Sequence, residues 1–290
     1  MEFVSRSVPA NFNLFFFGDV HIGTLLHHSE GFAKFVDMLN SPYGDVKHNV
    51  AIGMGDYIEA IDHSDKRFDV HSVDLDKIRP DQQIDHFIEK IKSSSKKIVT
   101  LLQGNHEAKL VKFYDYAAGA ARKLNVPYGT YSSICTFHRN GCNGGKNEQY
   151  LFKVFVTHGS GTIRTVADDP ERQEANLNLS LKRKLKRKSG ECAIQCMGHT
   201  HKLLICRPKT SLYLTSDGKE LKQNYTRSDQ AAQFIHPDHR WYVNSGSFMR
   251  LYLKGVSGYA ERFGYDPMEM GFVVAKIRDC KIQDIDRVYV

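Results

Sequence analysis

Several short apolar runs in this sequence end on a residue that can bind a metal or carry a charge. FFFGD ends at Asp19, AIGMGD at Asp56, VTLLQGNH at Asn105 and His106, FVTH at His158, and AIQCMGHTH at His199 and His201. In open α/β sheets, ligands bind beyond the carboxyl ends of the strands, so residues far apart in sequence can meet in one crevice. The pattern therefore favours an α/β fold with one shared site.

The first half of the chain reads as alternating strands and helices. Apolar runs at Leu14 to Gly18, Val50 to Met54 and Lys97 to Gln103 are separated by helical patterns that begin near Ser29, as N-cap, and near Gln82. This order predicts a βαβ series with right-handed crossovers.

The later part of the chain is predicted to contain more β structure. After a helix expected at about Glu107 to Leu124, the runs Tyr131 to His138 and Tyr150 to Thr157 flank a turn-rich segment and predict a hairpin. Further strands are expected around these positions: Ala193, Leu203, Tyr213, Trp241, Phe272 and Ile282. We expect a partly antiparallel second half. Because no internal repeat or long linker is visible, we predict a single domain over 1–290.

The spacing of DVH and HTH constrains the local backbone. In a strand, residues i and i+2 share a face but lie about 7 Å apart, whereas two ligands of one metal must approach one point. Both motifs are therefore expected in turns just after their strands. Gly18, Gly23 and Gly198 are expected to supply the backbone freedom of those turns.

Imidazoles, carboxylates and an amide oxygen suit hard-to-borderline divalent ions. Two such ions facing Asp19 and Asp56 would leave about two net positive charges, which attract a phosphate and a hydroxide.

The series DVH, GDYIE, GNHE, THG and GHTH resembles the five-block signature of the calcineurin-like metallophosphoesterases, and it spans Asp19 to His201. The later WYVNSGSF also resembles the segment that follows GHxH in many members. The resemblance implies an α/β fold, namely a four-layer αββα sandwich of two mixed β-sheets flanked by helices.

The resemblance also implies roles, residue by residue. Asp19, His21 and His201 would hold one metal, and Asn105, His158 and His199 the other, with Asp56 bridging them. His106 would face the phosphate and assist the leaving group, while a metal-bridging hydroxide attacks in line. Mn²⁺ is the expected ion; Fe, Zn, Ni and Mg remain open.

Composition limits the cellular compartments and the classes of partner that are expected. The N-terminus lacks a signal-peptide pattern, and no apolar run approaches about 18 residues, so neither secretion nor a membrane is expected. The six cysteines form no regular framework, which favours reduced thiols in a cytoplasm, although the CxxxC pair Cys192 and Cys196 offers a second possible metal site. A formal charge of +7 favours anionic partners.

Variable segments are expected to choose the substrate. The insert at about 60–81 follows Asp56 and carries His63 and Arg67, which are either substrate contacts or surface residues; the same alternatives apply to Thr162 and Arg164 after THG. Lys182 to Lys188, within a basic helix end at about 181–190, has six basic residues in seven positions. It is either a solvated helix end or a nucleic-acid contact.

Several functions remain open on these grounds. The leading hypothesis is a two-metal phosphodiesterase, with a nuclease similar to the DNA-repair branch of the family as one version. The alternatives within the enzyme class are a phosphomonoesterase acting on phosphoprotein or a small metabolite, a cyclic-nucleotide phosphodiesterase and a nucleotide pyrophosphatase. A non-catalytic scaffold and a nucleic-acid binder are the alternatives outside it. Oligomeric state is not indicated.

Overall fold

A computed structural model describes residues 1–61, 65, 68–139 and 148–290, with the backbone alone at 259 and 260. The α-helices are α1 (Ser29–Asn40), α2 (Pro80–Ile91), α3 (Asn105–Ala108), α4 (Tyr116–Leu124), α5 (Pro170–Leu185) and α6 (Tyr259–Arg262). The strands are β1 (Glu2–Val8), β2 (Phe12–Phe17), β3 (Asn49–Gly53), β4 (Ile98–Leu101), β5 (Ser132–Arg139), β6 (Gln149–Thr157), β7 (Cys192–Met197), β8 (Leu203–Cys206), β9 (Leu212–Ser216), β10 (Leu221–Tyr225), β11 (Trp241–Ser245), β12 (Gly271–Arg278) and β13 (Lys281–Tyr289). Short 3₁₀ turns occupy Leu75–Lys77, Lys92–Lys97 and Pro237–His239. The fold is α/β, with mixed sheets and helices.

The first sheet has five strands in the order β13-β12-β2-β3-β4. Strands β2, β3 and β4 run parallel, with α1 and α2 in the connections, which confirms the predicted βαβ series. Each residue of β2, FNLFFF, is buried, because both faces of this central strand are covered. The carboxyl ends of the three parallel strands therefore lie at one edge.

The second sheet has six strands in the order β1-β5-β6-β7-β11-β8. The predicted hairpin is confirmed as the antiparallel pair β5 and β6, whereas β6, β7 and β11 are parallel. Strands were found at the other expected positions too, but β1 and β10 were not predicted. The separate two-stranded sheet β9 and β10 is exposed on both faces apart from the half-buried Asn224.

Apolar side chains from both sheets form one buried cluster, which includes Phe12 and Leu14 of β2 together with Val154 and Ile194 from the second sheet. The opposite face of the first sheet packs against α1, α2 and α4, through residues such as Phe17, Phe35 and Phe87. The opposite face of the second sheet packs against α5 through Leu181 and Leu185. Side chains alternate between the two faces of each strand, so adjacent residues of β2 serve different clusters.

Two helix predictions need correction. The expected helix from Glu107 to Leu124 is wrong: α3 ends at Ala108, and α4 begins at Tyr116, capped by Asp115 Oδ1, which accepts a hydrogen bond from Ala118 N at 2.9 Å. Ser29 is the first residue of α1 rather than its N-cap; His28 caps the helix, its Nδ1 accepting from Gly31 N at 3.2 Å.

Within the described parts of the chain, no helix combines the length and the apolar character that crossing a bilayer requires. The described cysteines are free thiols. Cys192 packs in the α5 cluster and Cys196 packs between the sheets, so the CxxxC pair does not form a metal site.

Candidate metal centre

The predicted ligand residues lie just beyond the ends of their strands. Asp19 and His21 follow β2, Asp56 follows β3, and His199 and His201 follow β7. The backbone pairing of β2 with β3 continues into these turns, where Asp19 N donates to Gly55 O at 2.9 Å and Val20 N to Asp56 O at 2.7 Å. The expected turn placement of DVH and HTH is confirmed.

The ligand residues themselves adopt the left-handed backbone conformation. Positive φ angles occur at five of them: Asp19 (50°), His21 (55°), Asp56 (52°), His199 (70°) and His201 (56°). Such angles cost a non-glycine residue about 1 kcal/mol or more and persist where surrounding structure enforces them. Their concentration at one edge of the sheets makes that edge a candidate functional site.

The predicted role of the glycines is confirmed only for Gly23, whose φ is +112°. It is wrong for Gly18 and Gly198, which are outside the positive-φ range. These two glycines permit close approach instead: an added Cβ would lie 2.8 Å from Met54 Cβ at Gly18 and 2.9 Å from Asp19 Oδ2 at Gly198. At Gly104, an added Cβ would lie 2.0 Å from Asp56 Oδ1.

One potential metal group consists of Asp19, His21 and His201, whose ligand atoms all lie within 4.8 Å of one another. The two Nε2 atoms of His21 and His201 are 3.1 Å apart, and His201 Nε2 is 3.3 Å from Asp19 Oδ1. The backbone of His199 also donates to Asp19 Oδ2, at 2.9 Å. Side chains from both sheets thus converge on one point.

A second potential metal group consists of Asp56, His158 and His199. His158 Nε2 lies 3.3 Å from Asp56 Oδ2 and 2.9 Å from Asn105 Oδ1. His199 Nδ1 lies 2.5 Å from the same Asn105 oxygen. Asn105 therefore belongs to this group, as the sequence predicted.

The hydrogen bonds of two histidines fix which ring nitrogen faces the site. His21 Nδ1 donates to Glu59 Oε2 at 2.7 Å, and His158 Nδ1 donates to Met54 O at 2.8 Å. Because a carbonyl or a carboxylate oxygen only accepts, the proton of each neutral ring lies on Nδ1 and the Nε2 lone pair faces the group. This is the arrangement that a metal-binding imidazole requires.

The cluster also contains contacts that a cation would satisfy. Asp19 Oδ1 is buried and accepts no hydrogen bond of good geometry, although His201 Nε2 lies 3.3 Å away. The facing nitrogens of His21 and His201 attract each other only with a proton or a metal ion between them. An orphaned carboxylate oxygen and converging lone pairs, with no thiolate in either group, fit a divalent ion of the hard-to-borderline class.

Negative charge dominates the electrostatics of the cluster. Burial disfavours a charge on His21, yet the Glu59 carboxylate, with Asp56 and Asp19, raises the pKa of His21 to about 9. Burial likewise opposes charge on His158, but Asp56 raises its pKa to about 9. Although burial acts in the opposite direction, His158 and His106 hold the pKa of Asp56 well below its ordinary value. Carboxylates that draw protons onto neighbouring imidazoles would also attract metal cations.

His106 lies beside the cluster and is buried. Its Nδ1 hydrogen-bonds to the carbonyl oxygen of Glu59, its backbone N–H donates to Asp56 Oδ1 at 2.9 Å, and its Nε2 lies 3.9 Å from Asp56 Oδ2. Burial lowers the pKa of His106, against the opposing effect of Asp56 and Glu59. The ring therefore points Nε2 toward the space beside Asp56. Because Nδ1 donates to a carbonyl oxygen, the neutral ring carries its proton on Nδ1, and Nε2 can donate only after the ring takes up a second proton.

Sequence reasoning did not single out two buried glutamates that hold the site together. Glu59 orients His21, and Glu107 accepts backbone hydrogen bonds from Tyr57 (2.6 Å), Gly104 (2.9 Å), Asp56 (3.1 Å) and Ile58 (3.2 Å). Both belong to the quoted motifs GDYIE and GNHE. A glutamate among apolar residues, as in YIEAI, could have indicated this role. An unpaired buried carboxylate is costly, so a glutamate in a buried segment is expected to have hydrogen-bond partners.

The segment WYVNSGSF also reaches the site. Phe248 N and Ser247 Oγ both donate to Asp19 O, at 3.0 and 2.9 Å. These bonds hold the Asp19 turn in addition to its backbone bonds with the segment after β3.

None of the four predicted substrate contacts is placed at the metal groups by the described part of the structure. Thr162 and Arg164 are exposed in the segment between β6 and α5 and are outside both potential metal groups. His63 and Arg67 lie outside the described residues.

The basic helix end is formed by α5 as expected, with Lys182, Arg183 and Lys184 in its last turn. Lys182 forms an ion pair with Asp238, and Lys184 Nζ donates to Ser160 O at 2.9 Å, two residues after His158. The basic helix end therefore adjoins the loop that follows a predicted metal ligand.

Comparison with protein-family models gave no match, and comparison with curated proteins gave none either.

Proposed function

We propose that this chain is a phosphoesterase that uses two divalent metal ions. The observation that carries the proposal is the convergence of seven predicted ligands from two sheets into two adjoining groups, each with a carboxylate and imidazoles. Asp19, His21 and His201 would hold one ion, and Asn105, His158 and His199 the other. Asp56, between His158 and His106, is the proposed bridge.

Bound at these residues, divalent ions would supply the chemistry that the side chains lack, namely a lowered pKa of water and an offset of the charge on the phosphate. The chain's own residues would do the rest. Glu59 and Met54 O keep the lone pairs of His21 and His158 directed into the site. His106, held through Nδ1, would take up a second proton from solvent on Nε2, donate it to the leaving oxygen and return to the neutral ring.

The fold supports this proposal at a coarser level. An apolar cluster lies between two mixed sheets, with α1, α2 and α4 against one outer face and α5 against the other. We propose that this is the four-layer αββα sandwich of the metallophosphoesterases, with Mn²⁺ as the preferred ion.

A phosphodiester is the substrate that the charge distribution favours, with nucleic acid as one source. Lys184 contacts the loop after His158, so the basic end of α5 lies beside a segment that leads away from the site. Exposed Arg183, Arg187 and Lys188 extend this basic end. Cations in a row beside a site suit a substrate with successive phosphates.

The deciding experiment combines metal analysis with two ester substrates. Purified protein loaded with Mn²⁺ should hold two ions per chain and hydrolyse bis-p-nitrophenyl phosphate faster than p-nitrophenyl phosphate. The reverse preference would favour a monoesterase, while two bound ions with no hydrolysis of either ester would favour a non-catalytic scaffold. Metal-independent, salt-sensitive DNA binding without hydrolysis would favour a nucleic-acid binder.

A further inference from the structure

A cavity of about 300 Å³ adjoins the metal centre on the side of His21. Glu59 is part of its lining, and the carboxylate of Glu59 accepts the hydrogen bond of His21 Nδ1. One end of the cavity is therefore a single side chain away from a proposed metal ligand.

Half of the described residues that line this cavity are apolar, and two of these are aromatic. The apolar lining residues are Leu26, Ile61, Phe68, Val73, Met249 and Phe263. Phe263 is 72% exposed, so much of its ring is accessible to a ligand.

The wall from the insert is fixed relative to His21. Leu25 N and Thr24 Oγ1 both donate to Ser72 O at 2.9 Å, and Asp74 N donates to Gly23 O at 3.0 Å. These bonds join the insert to the turn that follows His21. The turn that follows His21 therefore supports both the cavity wall and the metal centre.

The opposite wall comes from the segment after Leu251. Gly258 packs on Leu26 so closely that an added Cβ would lie 2.8 Å from Leu26 Cδ1. Arg262 forms an ion pair with Asp69 of the insert, which joins the two walls at the rim. The pair also places a guanidinium and a carboxylate where they can contact the polar edge of a ligand.

We infer that this cavity binds a planar aromatic ring, of nucleobase size, carried by the phosphate ester. Its volume is at the lower end of small-molecule pockets, so it suits one ring system. Aromatic walls favour a flat π-system, and the Asp69–Arg262 pair suits a ring with polar edges. The inference rests on the proposed function, because the metals would hold the phosphate that the ring accompanies.

Binding tests this inference without depending on turnover. The probes are the non-hydrolysable phosphonate analogue of thymidine 5′-monophosphate and methylphosphonate, titrated calorimetrically into the Mn²⁺-loaded full chain. Stacking on one side chain is worth about 1–3 kcal/mol, or about 5- to 150-fold in affinity. We expect the nucleoside probe to bind at least about fivefold more tightly.

Phe263→Ala should remove most of that preference and leave methylphosphonate affinity unchanged, whereas Phe263→Trp should keep it. Phe113→Ala is the matched control, because Phe113 is similarly exposed, at 76%, and does not line this cavity. Equal affinity for the two probes, or a preference that survives Phe263→Ala, would overturn the inference.

The two proposals fail in different ways. A nucleoside preference lost in Phe263→Ala, in a protein that cleaves no phosphate ester, would support the cavity and overturn the phosphoesterase. Ester hydrolysis by a protein that binds both probes equally would support the phosphoesterase and overturn the cavity.

Discussion

The two sheets contribute different chemistry to the same cluster. The first sheet provides Asp19, Asp56 and the Asn105 amide, with His21 as its one predicted imidazole ligand. The second sheet provides only imidazoles: His158, His199 and His201. The buried carboxylates thus come from the first sheet, whereas most of the imidazole ligands come from the second.

Support is also unequal between the sheets. The turns of the first sheet are held by two buried glutamates and by backbone bonds that extend the β2–β3 pairing. On the second sheet, His158 is fully buried, but His199 and His201 are partly exposed. This difference indicates that the first sheet fixes the charge and geometry of the site, whereas the second completes the coordination.

Asp56→Asn should have the largest effect, because it removes the carboxylate proposed to serve both ions. We expect loss of bound Mn²⁺ and at least about a 100-fold fall in ester hydrolysis, comparable to deleting a preorganised electrostatic group. Metal analysis and initial rates measure both. Asp37→Asn, at an exposed position, is the control. If the Asp56→Asn protein kept both ions, the proposal that the first sheet supplies the carboxylate needed for metal binding would be contradicted.

Glu107→Gln tests the support of the first sheet. The amide nitrogen of glutamine cannot accept, so some of the four backbone donors would be left buried and unpaired. We expect about 1–3 kcal/mol less unfolding free energy and about 10- to 100-fold weaker Mn²⁺ binding. Urea denaturation and metal titration measure these, with the 80% exposed Glu89→Gln as control. Unchanged metal affinity would make Glu107 purely structural.

His21→Gln and His201→Gln compare one imidazole from each sheet directly. Each should weaken one ion by at least about tenfold, comparable to the loss of an outer-shell partner. His21→Gln should lower the stability of the metal-free protein more than His201→Gln, by about 1–3 kcal/mol, because Glu59 loses a buried partner at a short hydrogen bond, whereas His201 is partly exposed and lies farther from Asp19. Thermal unfolding with chelator separates the two effects. Equal destabilisation would remove the distinction between the sheets.

A further expected effect, confined to acidic pH, is a pH dependence of stability near the first sheet's turn. Burial lowers the pKa of His27 to about 4, although its bond to Val20 O opposes this shift. The unfolded chain, with an ordinary pKa of 6.5, binds a proton first, so stability falls as pH drops from 6.5 towards 4. At about 1.4 kcal/mol per pKa unit, the loss approaches about 3 kcal/mol. Urea unfolding of His27→Gln should show a correspondingly flatter profile across this range; an identical profile would contradict the assignment.

The sequence was sufficient to predict which side chains lie together, because the candidate ligands follow short apolar runs that form buried strands in the structure. Asp19, Asp56 and His158 were predictable on this basis, and the αβ alternation gave the parallel order of β2, β3 and β4. The prediction that the fold forms one domain stays a prediction, as does the cytoplasmic location.

Other features depend on tertiary contacts that local patterns do not encode. The role of Gly198 is set by Asp19, which lies far away in sequence, and Glu107 acts on turns from two different strands. The break between α3 and α4 was missed because the cap at Asp115 lies inside an otherwise helical pattern. The basic run was read correctly as a helix end, but its ion pair between Lys182 and Asp238 was not foreseeable.

The 3.1 Å approach of His21 to His201 has a mechanical consequence. These side chains extend from different sheets, so an ion held between them would cross-link the two sheets at the open edge of the core. An ion present at 100 times its dissociation constant adds about 2.7 kcal/mol of folding stability by mass action. A chelator would therefore destabilise this edge first. Backbone amide exchange would increase around His21 and His201 before it increased at the far ends of the strands.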